Sequence, residues 1–312
     1  MSNTKVAIVT GGSKGIGLAV VKELAKTFDG DVYLTARNET RGRHALNELE
    51  QLGINAIFHQ LDIDDRKSIE PLRDHIKETY GGIDVLVNNA AIAFPAAATE
   101  PMHVQATATI NTNYFGTKQT CELLFPILKP GARIVNVSSV VGLLSNVSGN
   151  EPAASKLREK LAASDSILAS NELDELMNQF MDASKDGSFK EKGWGSSTYA
   201  ASKVGLSALT RIQQRELLMD QRQDIVVNHV SPGYVDTDMS SHKGFLTPEE
   251  GAKSTVFCAL LPPGTDIKGQ YIWHDCQVVD WVNGPGVWVW VTGVWSHIYS
   301  LIRSRFNSML TH

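Results

Sequence analysis

Residues 6–17 read Val6-Ala7-Ile8-Val9-Thr10-Gly11-Gly12-Ser13-Lys14-Gly15-Ile16-Gly17. The opening run of small and β-branched apolar residues suits a strand buried on both faces. The glycines behind it let the backbone turn sharply and approach an anion without Cβ collisions. Beyond them Ile16, Val20 and Leu24 recur at a spacing of four, with Ala19 beside them, and predict one apolar helix face. A helix that starts on such a turn aims its free N–H groups and positive dipole end at the anion. Strand, loop and helix, with a second strand about twenty residues on, form the setting of a dinucleotide pyrophosphate site. Taken alone, the glycine turn has a second reading as a tight strand–helix connection.

The alternation continues outward from that stretch. Apolar runs at 32–34, 57–61, 85–87 and 134–137 predict further buried strands, with a sixth at 225–230 and a seventh near 270–273. Ala45, Leu46, Leu49 and Leu52 line one helix face, and Gly53 is its stop. This order predicts an α/β fold, a Rossmann-like doubly wound parallel sheet with right-handed crossovers, in a single domain over residues 1–281. Two regions break the rhythm. Residues 145–194 are polar, but Ser170-Asn171-Glu172 precedes Leu173, Leu176 and Phe180, so a helical insertion is predicted there. After Trp281 the chain reads Val282-Asn283-Gly284-Pro285-Gly286, a turn-forming linker to a C-terminal extension, 282–312.

The 312 residues are 42% hydrophobic and 20% charged, a balance that suits a soluble globular protein. The net charge of −5 offers no basic stripe for nucleic acid. Cys121, Cys258 and Cys276 form no CxxC pair, and their odd number argues against a disulfide framework, which leaves free thiols in a reducing compartment. No HExxH or His/Cys cluster predicts a metal. The N-terminus enters a strand almost at once, so no signal peptide is expected and the cytoplasm is the expected location.

The loop spacing is TGxxxGxG, and other motifs accompany it in order. Asn88-Asn89-Ala90-Ala91 follows the fourth strand, Asn113 lies within Asn111-Thr112-Asn113-Tyr114-Phe115-Gly116-Thr117, and Ser138-Ser139 ends the fifth strand. Tyr199-Ala200-Ala201-Ser202-Lys203 has the form YxxxK, and Ser231-Pro232-Gly233-Tyr234-Val235-Asp236-Thr237-Asp238 contains PGxVxT. Across most of the first 280 residues, the set resembles the short-chain dehydrogenase/reductase family. Within it, His59-Gln60-Leu61-Asp62-Ile63-Asp64-Asp65, the long insertion before Tyr199 and Leu260-Leu261-Pro262-Pro263 are similar to the NADPH-dependent carbonyl reductases. Ala91 departs from the family's glycine and adds a methyl beside the nicotinamide end of the cleft.

Tyr199 and Lys203 are four apart on a predicted helix and share a face. A phenol ionises near ~10, and a neighbouring ammonium is expected to lower that value toward the working pH. The resemblance makes Tyr199 the proton donor to a substrate carbonyl and Ser139 the residue that holds the same oxygen. It also gives Lys203 the nicotinamide ribose and Asn113 a water that relays protons. Gly11, Ser13, Lys14, Gly15, Ile16 and Gly17, with Asn89, Pro232, Gly233, Val235 and Thr237, are the implied cofactor contacts. Asp62 and Ile63 resemble the family's adenine-contacting pair, although Asp62 also reads as a strand-end turn residue. Acyl transfer on Ser139 is disfavoured, because no GxSxG elbow or partner histidine motif is present.

The second strand ends Leu34-Thr35-Ala36-Arg37-Asn38. A carboxylate here would bind the ribose 2′-hydroxyl of NAD; Ala36 followed by Arg37 instead favours the 2′-phosphate of NADPH. Lys14 and Arg41 supply further positive charge, or all three are ordinary surface cations. Phe94, Gln105, Trp194, Tyr234 and Met239 are candidate cleft residues beside Ser139 and Tyr199, with scaffold packing as the alternative for each.

The expected activity is reduction of a small ketone, aldehyde or quinone. A steroid or prostaglandin alcohol dehydrogenase is the enzymatic alternative, and an NADPH-binding sensor the other. Because about sixty residues separate Ser139 from Tyr199, the inserted lobe is expected to cover the helix face used for association in many relatives, giving a monomer. The apolar run 287–302 holds Trp288, Trp290 and Trp295 and is followed by Arg303 and Arg305. It is short for a bilayer span of about 20 residues. Packing on the enzyme's surface, a frayed appendage and peripheral membrane contact are its readings, and the catalytic core is not expected to need it.

Overall fold

Val6, Ala7, Ile8 and Val9 are wholly buried in β1 (Lys5–Val9), which pairs with a parallel strand on each side. The computed structural model describes residues 4–95 and 97–284. Around β1 lie β2 (Gly30–Ala36), β3 (Ile57–Gln60), β4 (Ile83–Asn88), β5 (Leu128–Val137), β6 (Val226–Val230), β7 (Tyr271–Ile272) and β8 (Val278–Val279). Their spatial order is β3-β2-β1-β4-β5-β6-β7-β8, parallel throughout except for antiparallel β8. The order reverses direction at β1, and the crevice above β1 and β4 is therefore where an open α/β sheet binds ligands.

Helices cover both faces. On one face α1 (Gly15–Thr27) packs against α9 (Pro248–Ala259), with α2 (Glu39–Gln51) beside them; Val20, Val21 and Leu24 lock α1 onto the sheet. The other face carries α3 (Arg66–Tyr80), α4 (Met102–Ile110), α5 (Thr117–Leu124) and α8 (Thr198–Leu217). Gly81 closes α3 in the left-handed conformation, and Ser197 caps α8 by accepting from the Ala200 N–H.

The segment before α8 forms α6 (Ala153–Ala162) and α7 (Ser170–Asp186). Glu172 fixes the start of α7 by accepting from the Ala169 N–H, and Leu173, Met177 and Phe180 are wholly buried against α4 and α8. Burial of each such side chain is worth about 1.5–3 kcal/mol. Polar anchors add direction: Tyr114 donates to Asp174 at 2.8 Å, Lys118 pairs with Asp174, and Arg215 donates to the Leu168 carbonyl at 2.8 Å.

Two sequence expectations change. Leu61 and Ile225 fall outside the strands assigned to them. The run at 270–273 yields a two-residue strand that turns back through β8, which periodicity over so few residues cannot reveal. The described chain closes on a turn anchored by Asp280, which accepts from the Val282 and Asn283 N–H groups. Among the described residues no helix is long and apolar enough to cross a membrane. The run 287–302, with Trp288, Trp290 and Trp295, lies outside the described residues.

Candidate active site

The glycine loop is held from beneath by Asn89, just past β4. Its side-chain N–H donates to the Thr10 and Gly11 carbonyls at 3.0 and 3.2 Å, while the Thr10 hydroxyl accepts from the Asn89 and Ala90 N–H groups at 3.0 Å each. Gly17 completes the fit, since a Cβ there would lie 2.4 Å from both Asn89 Nδ2 and the Gly11 oxygen. Asn89 thus shapes the cradle. From above, the loop after β6 closes in: Pro232 is buried, Gly233 makes the turn, and buried Val235 bridges to Leu246. Thr237 lies against Gly15, and Lys14 pairs with Asp238. Ser13, Gly15 and Ile16 occupy the accessible lip of the cradle at the start of α1.

At the end of β2, Ala36 is buried and Arg37 exposed; Gln60 steadies the turn by donating to the Arg37 carbonyl at 3.0 Å. Asn38 caps α2 by accepting from the Arg41 N–H, leaving Arg41 exposed on its first turn. Asp62 accepts from the Asp64 N–H at 3.1 Å, and the Ile63 side chain is buried in the core. The Asp62 contact is therefore a turn interaction, and any contact from Ile63 to a ligand would use its backbone.

Ser139, Tyr199 and Lys203 converge beyond β5. Ser139 and Tyr199 are half-buried, hydrogen-bonded to each other, with Lys203 buried behind them. Lys203 Nζ lies 5.6 Å from the centre of the Tyr199 ring and donates to the Val137 carbonyl at 2.7 Å. Burial pushes the Lys203 ammonium down to about 7. Burial likewise pushes the Tyr199 phenol up to about 12, against the opposing hydrogen bond from Ser139. Desolvation acts on both groups and favours both neutral forms, in the opposite direction to the lowering of the phenol expected from its lysine.

Asn113 sits in a π-helical turn, Asn111–Gly116, that interrupts α4 and α5. The bulge turns its side chain inward, where it accepts from the Ile92 N–H at 2.8 Å and donates to the Ile92 carbonyl and the Ser202 hydroxyl at 2.9 and 3.0 Å. Both amide N–H groups are committed to bracing the loop after β4 against α8, so a relay water would have to use the second lone pair of Oδ1 or the main chain. Ala91 in that loop is among the residues without a positive φ, and its methyl brings no backbone strain.

The substrate-side candidates separate. Phe94 is half-buried after the same loop, and Tyr234 lies edge-on to Phe245 at 6.0 Å between centroids. Met239 and Phe245 are 45% and 54% exposed, so this rim is apolar and open. Gln105 donates to the Glu100 carbonyl at 2.8 Å. Trp194 is not a cleft residue: it is 2% exposed and packs on Phe180 inside the helical lobe. Sequence reasoning missed Ser202 and the aromatic pair Tyr271 and Trp281, which bond to the backbone after Ser139. Ser202 is one of the unspecified positions inside YxxxK, which marks no job for it, and Tyr271 and Trp281 belong to no motif, so only the fold brings them near. Cys121 and Cys258 are buried and all three cysteines are free.

A pyrophosphate cradle at the switch point and a serine, tyrosine and lysine beyond β5 define a nicotinamide-dependent oxidoreductase site on a Rossmann-like sheet. The chain belongs to the short chain dehydrogenase family, whose sequence profile matches residues 5–159 and 183–244. It is 45% identical to human carbonyl reductase [NADPH] 1 over 282 residues, which is 90% of this chain and 99% of the relative. Among solved structures, salutaridine reductase from Papaver somniferum is similar with a TM-score of 0.75 and 31% identity, over 87% of this chain and 100% of that one. A short chain dehydrogenase from Burkholderia cenocepacia in complex with NADP has a TM-score of 0.59 and 27% identity, over 86% and 95%.

Proposed function

We propose that this protein is an NADPH-dependent carbonyl reductase that converts small ketones, aldehydes or quinones to alcohols. The observation that carries the reading is the convergence of Ser139, Tyr199 and Lys203 beside a cradle where β2 ends in Ala36 and is followed by exposed Arg37. The names of the relatives, carbonyl reductase [NADPH], support it.

The residues present fit the cofactor. The cradle between Gly11 and Gly17 has no room for a side chain on the loop side, exposed Arg37 and Arg41 suit a 2′-phosphate, and buried Lys203 suits a ribose hydroxyl. NADPH, when bound, supplies the hydride. Ser139 donates a hydrogen bond to the substrate carbonyl and fixes its oxygen beside Tyr199. Tyr199, neutral at physiological pH, donates its phenolic proton to that oxygen as negative charge develops there. Lys203 lies behind the ring and, when charged, stabilises the phenolate left behind. Asn113 braces the site through Ile92 and Ser202. The apolar rim of Tyr234, Met239 and Phe245, with Phe94, favours uncharged, flat substrates. The anchored lobe over α4 and α8 supports a monomer, and the free cysteines suit the cytoplasm.

A carbonyl substrate panel that includes menadione, run with NADPH and NADH in parallel, tests the proposal. Consumption of NADPH with quinones and aldehydes is expected, and a protein that binds NADPH without turnover on any member would refute it.

A further inference from the structure

We infer that Tyr271 and Trp281 are positioning residues for this reaction, which clamp the backbone turn that presents Ser139 to Tyr199. The inference deepens the reductase reading and rests on it.

The sheet stops fixing the chain just before the serine. Ser138 N–H donates to the Val230 carbonyl at 2.8 Å, and this is the final ladder bond along β5. Ser139 is extended, and residues 140–142 form a single 3-10 turn. Both ends of that turn are gripped from the C-terminal hairpin. The Tyr271 hydroxyl, from β7, donates to the Ser139 carbonyl at 2.7 Å. The Trp281 indole N–H, just past β8, donates to the Gly142 carbonyl at 2.6 Å, and the Trp281 carbonyl accepts from the Leu144 N–H at 3.2 Å.

The grip leaves little slack. Tyr271 and Trp281 are each 1% exposed, and the ring of wholly buried His229 lies edge-on to both, at 5.0 and 6.2 Å between centroids. The Arg211 guanidinium lies 5.3 Å over the Trp281 ring. Beneath the turn, a Cβ on Gly142 would lie 2.4 Å from the Ser138 hydroxyl, which itself pairs with Ser207 of the tyrosine's own helix at 2.7 Å. The clamp therefore sets the separation between the serine's backbone and α8. Tyr199 is carried by α8, and the Ser139 hydroxyl has to meet both it and the substrate oxygen.

The test is a double-mutant cycle. Tyr271→Phe and Trp281→Phe remove one donor each and keep an aromatic ring. Misplacement of a reacting group by 1 Å costs up to ~10²-fold in rate, so loss of one of several anchors should lower kcat for menadione about 5- to 20-fold. KM for NADPH should stay unchanged. The same substitutions in a Ser139→Ala background, read by single-turnover kinetics, should then cost less than about twofold, because the hydroxyl they position is gone. An undiminished loss in that background would overturn the clamp and reduce both residues to packing. No loss of kcat in the wild-type background would overturn it as well. Should Trp281→Phe fail to fold, Tyr271→Phe decides alone. Full activity of Ser139→Ala by itself is a different failure, which removes the serine's role and the clamp with it.

Discussion

Lys14 Nζ lies 2.5 Å from a carboxylate oxygen of Asp238, an ion pair that ties the glycine-rich loop to the loop after β6. Both side chains are more than half exposed, so the pair is weak in water. Its interest is competitive. On the proposed reading a 2′-phosphate would compete for the cation that Asp238 holds, and Asp238 also lies within 3.2 Å of His242. Asp238→Asn should free Lys14 and remove a like charge from the phosphate. KM for NADPH should fall about two- to fivefold, with KM for NADH unchanged. An equal shift for both cofactors would place Lys14 away from the 2′-phosphate.

Arg37→Asp exchanges the exposed cation proposed to bind the 2′-phosphate for a carboxylate suited to a ribose hydroxyl, just past β2. The ratio of kcat/KM for NADPH over NADH should drop roughly 10- to 100-fold, the worth of one charge-assisted interaction. Steady-state kinetics with both cofactors decide it. A constant ratio means that Arg37 does not read the phosphate.

Tyr199→Phe keeps the ring and removes the phenolic hydroxyl proposed as the proton donor. Turnover should fall by about 10² or more, while NADPH binding, followed by fluorescence titration, survives. Near-normal turnover would assign the proton to another group.

Lys203 gives a pH signature in stability. Its folded value is about 7 against an ordinary 10.5. Between those values the unfolded chain holds a proton that the folded chain has released, so stability rises with pH across the window. The cost of burying the ammonium is complete below pH 7 and fades toward pH 10.5. Tyr199, raised from 10 to about 12, opposes this only above pH 10. Urea unfolding without added NADPH should show the slope, and Lys203→Met should flatten it. An identical slope in the variant would mean that other groups carry it.

Asp174→Ala unpins the helical lobe. It leaves the Tyr114 hydroxyl and Lys118 without their shared acceptor, at a cost of about 1–3 kcal/mol for the buried hydroxyl. The melting temperature should drop, and light scattering of the parent chain should give a mass near 34.1 kDa. A parent mass of twice that value would show that the lobe does not close the association face.

The sequence made the site's chemistry legible where one residue type carries one job at fixed spacing. The glycine loop, Asn89, Ser139, Tyr199 and Lys203 all belong to motifs, and the strands that carry them are long apolar runs. It was silent where a contact joins distant segments. The Tyr271 hydroxyl and the Ser139 carbonyl are 132 residues apart, and a two-residue strand has too few positions to show a period. Trp194 misled because an aromatic beside a motif looks the same whether it faces a cleft or a lobe's core. The tyrosine's ionisation was legible only in part: spacing reveals that a lysine is near, and packing adds the burial that acts on both groups.

The clamp on Ser139 also bears on how the protein is made. A chain emerges from the ribosome N-terminus first, at about 5–20 residues per second. Trp281 follows Ser139 by 142 positions, so the serine waits roughly 7–28 s for its last support. In the last part of that interval, once residues 232–237 have been made, the nascent chain carries every segment of its nucleotide cradle but not a finished reaction centre. Synthesis cut short before the final hairpin would leave a product able to hold nucleotide and poorly able to turn it over.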